Sequence, residues 1–108
     1  MKSFDPDYTL LEEMYRDEYF PDFLVDLVKE EILTVIELLE SGETDLERIQ
    51  ERLDEMTCAI NELEELFEEN DSEIETVARD CIGTTVAYIL DWFAIPIDIE
   101  EAIRERDW

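Results

Sequence analysis

The chain has 108 residues, with 33 Asp and Glu against 8 Lys and Arg and no His, for a formal net charge of −25. That length implies a single domain over 1–108. The charge excludes nucleic acid and anionic membranes as direct partners, because phosphates are repelled. Chains this acidic are commonly disordered, but 45% of these residues are apolar and 10% aromatic. They recur at helical spacing, so the expectation is a folded all-α domain.

The first element is a short helix over about 8–19, with Leu10, Leu11, Met14 and Tyr15 on one side. A long helix follows over about 21–41. It starts near Pro21, where proline fits a first-turn position, and stops at Gly42. Asp26, Glu30, Thr34, Glu37 and Ser41 form its polar stripe, and Glu31 interrupts an otherwise apolar remainder. The third helix, about 44–70, opens on capping-box spacing at Thr44 and Glu47. Leu46, Ile49, Leu53, Met56, Ile60, Leu63 and Phe67 then follow at intervals of 3, 4, 3, 4, 3 and 4. Such a seam packs nearly parallel or antiparallel to a neighbouring helix. A fourth helix, about 72–94, starts at a second capping box, Ser72 and Glu75, and ends before Pro96. Gly83 is unusual inside it, and close helix packing is the expected reason. A last short helix spans about 98–106. The fold class is therefore an all-α bundle with three long helices and a short helix near each end.

No stretch approaches the roughly 20 apolar residues of a membrane span. Residues Met1 to Pro6 lack an apolar signal region, so a cytoplasmic location is expected. Cys58 and Cys81 form no CxxC pair. Without His they make no common zinc site, and in a reducing cytosol they are free thiols. Cys81 lies on the apolar side of its helix. No residue set suggests catalysis, so no enzyme activity, cofactor or metal is expected.

The candidate interaction residues are acids. Between Arg52 and Arg79 there are ten acidic residues and no base. A solvated helix face would ordinarily mix signs, since Glu–Lys pairs stabilise and like charges four residues apart destabilise. Glu64–Glu68 and Glu65–Glu69 carry that cost. Glu55, Glu62, Glu65, Glu68, Glu69, Asp71 and Glu73 therefore form a candidate docking surface for a cationic partner. Tyr15 and Tyr19, in an aromatic group with Tyr8, Phe20 and Phe23, are candidate anchors or else close one end of the bundle. Trp92, Phe93 and Trp108 are expected at the other end.

Four stretches carry a resemblance. They are EMYRDEYFPDFLVDLVK from Glu13 to Lys29, LDEMT from Leu53 to Thr57, ENDSEIETVAR from Glu69 to Arg79, and DIEEAIRERDW from Asp98 to Trp108. Together they resemble a family of small, acidic, all-helical bacterial proteins of uncharacterised function. Such proteins are similar in size, charge and helicity to immunity proteins of polymorphic toxin systems. The resemblance supplies no catalytic motif. The leading expectation is a binding protein that occludes the cationic active site of a basic toxin domain. Two alternatives share the composition: a DNA-mimic regulator of a nucleic-acid-binding protein, and a structural or adaptor bundle, with a homodimer as one form.

Overall fold

The computed structural model describes residues 2–108. Among them are five helices and no strand: α1 Glu12–Arg16, α2 Asp22–Glu40, α3 Leu46–Glu69, α4 Thr76–Trp92 and α5 Ile99–Ala102. The expected all-helical bundle with three long helices is present. No helix among the described residues is long and apolar enough to cross a membrane.

Local chemistry sets the boundaries. Pro21 presets the chain for α2, and its carbonyl accepts from the Leu24 and Val25 amides at 3.0 and 3.2 Å. Gly42, at φ 92°, reverses the chain after α2, its amide donating to the Leu39 carbonyl. The turn folds α3 back along α2, and this hairpin is the main helix pair of the molecule. Asp45, not Thr44, caps α3, accepting from the Glu47 amide at 3.0 Å. A carboxylate at that position also favours the positive end of the helix dipole.

The fourth helix begins three residues later than the Ser72 capping box implies, because Ser72 closes α3 instead. Its amide donates to the Phe67 carbonyl at 2.9 Å, and that of Asp71 donates to the Glu68 carbonyl at 3.1 Å. This is a Schellman closure. It places Asp71 in the left-handed region at φ 58° and buries the Ser72 hydroxyl without a partner. The same closure ends α4, where Ala94 sits at φ 55°. Neither site has the glycine that adopts this conformation freely, so each carries backbone strain, which Asp71 tolerates better than Ala94.

The core lies between the hairpin, α4 and α1. Leu24, Val28, Ile32 and Val35 of α2 meet a seam on α3 in which Ile49, Leu53, Met56, Ile60 and Phe67 are all buried. Two seam positions depart from expectation. Leu46, the first residue of α3, is 43% exposed, and Leu63 is half-buried at the seam's edge. The Cα radius of gyration is 13.4 Å, close to the roughly 13 Å of an ordinary domain of this length. Self-repulsion at −25 therefore does not expand the chain.

Both short helices are shorter than expected, and irregular chain takes over their packing. Residues near the N-terminus lie across the end of α4. There Phe4 is ringed by Tyr8, Tyr88, Trp92 and Phe93, and Tyr8 stacks on Tyr88 at 4.1 Å. The Tyr88 hydroxyl donates to Asp5, and the Trp92 indole donates to the Ser3 carbonyl. The expected grouping of Tyr8 with Tyr15 and Tyr19 is thus replaced by a cluster that joins chain segments more than 80 residues apart. The chain from α5 onward lies along α3. Gln50 and Asn61 side chains donate to the Glu101 and Glu105 carbonyls, the Asp107 amide donates back to Asn61, and Arg104 forks onto Asp54. Trp108 is buried there, apart from Trp92 and Phe93.

Gly83 does not mark close packing. A Cβ built on it would meet nothing within 4 Å. Its cost of about 1 kcal/mol against alanine inside a helix therefore has no counterpart within the chain.

Candidate partner-binding surface

Residues four, three and seven apart stack along a helix. On α3 this puts Glu47, Glu51, Glu55, Cys58, Glu62, Glu65 and Glu69 within about a quarter of the circumference. All seven are exposed. The stripe faces away from the buried seam, and the C-terminal segment runs along one edge of it, near Cys58. Of the predicted residues, Glu55, Glu62, Glu65 and Glu69 share it. Glu68 lies further round, its charge acting on Glu64 along with that of Asp107. Asp71 and Glu73 are exposed in the bend beyond α3.

Four of the eight bases are held in ion pairs, none of them with the stripe. Among the described residues, the ion pairs join Arg16 to Glu12, Arg48 to Glu43, Arg106 to Glu100, and Arg104 to Asp54, Glu101 and Glu105. No member of the α3 stripe, and neither Asp71 nor Glu73, takes part. Arg48 and Arg52 line a groove with Glu51 and Glu55, so the stripe is free of neighbouring bases only in its later part, at Glu62, Glu65 and Glu69.

Glu31 extends it onto α2. Burial, then the charges of Glu30 and Glu62, hold its carboxyl above the usual range, so Glu31 lies near Glu62 of the α3 stripe. Sequence reasoning missed this. The available signal was that Glu31 is the one acid breaking the apolar side of α2.

The aromatic candidates separate. Tyr15 is half-buried, and its hydroxyl donates to Asp26 of α2. Burial, that hydrogen bond and the Asp26 charge push the phenol far up, so Tyr15 is a neutral donor committed within the chain. Tyr19 is 39% exposed and meets Phe20 edge to face. Burial, then Glu75 and Glu73, raise its phenol, which places Tyr19 beside the acidic bend. Phe23 is 51% exposed, while Phe20 is core.

The thiols are not activated. Cys58 is exposed, and partial burial followed by Glu105, Asp54, Asp107 and Glu62 raises its pKa. Cys81 is buried, and burial raises it. A nucleophilic thiolate needs the opposite field. No group of three or more metal-ligating side chains able to hold an ion occurs among the described residues.

Glu64 bears directly on stability. Burial, then Asp107 and Glu68, raise its carboxyl pKa, and one of its oxygens is buried without a partner. For an acid with a raised folded pKa, ionisation opposes folding above that pKa. The penalty fades as pH falls through it and is gone below the ordinary value of 4.5. Glu64→Gln is therefore expected to melt above wild type at pH 7, with the difference shrinking as pH approaches that value. Thermal melts across pH measure this, and a pH-independent difference would contradict it.

Comparisons with curated proteins and with solved structures give no match. A family model does match, over residues 4–108, so the chain belongs to a family of unknown function, DUF5713.

Proposed function

We propose that this protein binds a basic partner protein in the cytoplasm and neutralises it, in the manner of an immunity protein set over the cationic active site of a bacterial toxin. The observation that carries the reading is the α3 stripe: exposed carboxylates, followed along the chain by exposed Asp71 and Glu73, none of them in an ion pair among the described residues. Repulsion among them is an unrelieved cost in the free protein. A partner's cationic cleft relieves it, and the long-range field accelerates encounter. Occlusion needs no chemistry from this side, which agrees with two thiols held in the protonated form. Tyr19, exposed beside Glu73 and Glu75, supplies an aromatic contact at the edge of the stripe.

The test starts from the native partner, recovered by co-purification. Glu62, Glu65 and Glu69 are then changed together to Lys. All three side chains are exposed and outside the seam, so the fold is expected to persist. The wild-type association rate should fall steeply with salt. The triple variant should associate at least about tenfold more slowly at low salt, with a flatter salt dependence. An unchanged rate and affinity in a folded triple variant would remove the stripe from the mechanism.

A further inference from the structure

One groove of the molecule lies away from the acidic stripe. It lies between α4 and the chain from α5 onward, with a volume of about 540 Å³, within the range of small-ligand sites. Gly83 and Ala87 of α4 lie along it, and Ile99 and Ile103 contribute apolar side chains.

The glycine is the first anomaly. Among the described residues nothing lies within 4 Å of a Cβ built on it, so packing does not require it. A glycine that exposes helix backbone at a groove lets an outside molecule touch that backbone. The second anomaly is charge. Two of the chain's eight bases, Arg79 and Arg106, line this groove in a protein with 33 acids. Arg106 is occupied, donating to Glu100 and to the Trp108 carbonyl. Arg79 is not. Among the described residues no carboxylate lies within ion-pair distance of it, and its one side-chain hydrogen bond is a 3.4 Å donation to the Thr76 hydroxyl.

The geometry points to a binding site for a small monoanion with an apolar body, a carboxylate on a short hydrocarbon chain. Arg79 receives the carboxylate, as a planar guanidinium free of other partners does well. The Thr84 hydroxyl, in the same lining, supplies a second donor. The hydrocarbon lies over Gly83 and Ala87 against Ile99 and Ile103. Asp80 and Glu100 stand in the lining too, and they select against dianions such as phosphate esters. At physiological salt the Debye length is about 8 Å, so these neighbours, not the distant stripe, set the local field. The site is independent of the α3 surface, and since Arg106 is paired with Glu100 its anion preference rests on the unpaired guanidinium of Arg79.

Hexanoate is the probe, titrated into the full chain at physiological ionic strength and followed by amide chemical shifts. Acetate and hexylammonium are the comparators. Saturable shifts centred on Gly83, Thr84, Ala87 and Ile103 are expected with hexanoate alone. Arg79→Gln should weaken them about tenfold or more, and Gly83→Leu, which fills the groove floor, should abolish them. Both variants should keep the wild-type helical spectrum, and Arg79→Gln carries the test if Gly83→Leu does not fold. Non-saturating shifts, equal binding of hexylammonium, or undiminished binding by Arg79→Gln would each overturn the assignment.

Discussion

Leu53→Ala and Ile60→Ala are each expected to lower the free energy of unfolding by about 2–5 kcal/mol, and Phe67→Ala by about 3–5 kcal/mol. All three side chains are fully buried in the seam that α3 presents to the core. Truncation removes transfer free energy and leaves a cavity that rigid helix packing refills only in part. A domain of this size has a total stability of about 5–15 kcal/mol, and self-repulsion subtracts from it here, so Phe67→Ala approaches unfolding. Urea unfolding followed by circular dichroism at neutral pH reads the effect as a lower midpoint at constant slope. Near-neutral results at all three sites would show that the seam is not the core.

Trp108→Ala is expected to cost about 3–5 kcal/mol, the range of a core aromatic. Trp108 is 8% exposed, and the Arg106 guanidinium lies 6.0 Å above its ring. Losing the ring should also loosen the segment that Asn61, Gln50 and Asp54 hold against α3. Trp108→Phe separates packing from polarity. The indole N–H is buried with no partner, and an unsatisfied buried donor costs about 1–3 kcal/mol. Phenylalanine deletes that donor while keeping most of the apolar ring, so Trp108→Phe should lie within about 1 kcal/mol of wild type. Exchange of the Asp107 amide, which donates to the Asn61 side chain, should accelerate in the alanine variant and not in the phenylalanine one. A Trp108→Ala protein as stable as wild type would mean that the segment is not anchored by its ring.

The sequence by itself determined the helices and the α3 stripe, because both are periodic properties of contiguous residues. The 3-4 spacing from Ile49 to Phe67 identifies a buried face without knowledge of what covers it, and the same periodicity puts Glu55, Glu62, Glu65 and Glu69 opposite. Element starts were less legible. Thr44 and Asp45 compete for one cap, and Ser72 suits either the start of α4 or the end of α3. Local pattern does not rank such options when the neighbouring carbonyls of Phe67 and Glu68 also need donors.

Only the tertiary structure decided which residues far apart in the chain meet. It placed Tyr8 on Tyr88 rather than near Tyr15, put Glu31 beside Glu62, and laid the C-terminal segment on Asp54 and Asn61. It also left Arg79 and Gly83 facing an open groove. Those outcomes depend on how helices pack and on where irregular chain finds polar partners. Charge and spacing along the chain determine the surface of each helix, but not which surface another segment covers.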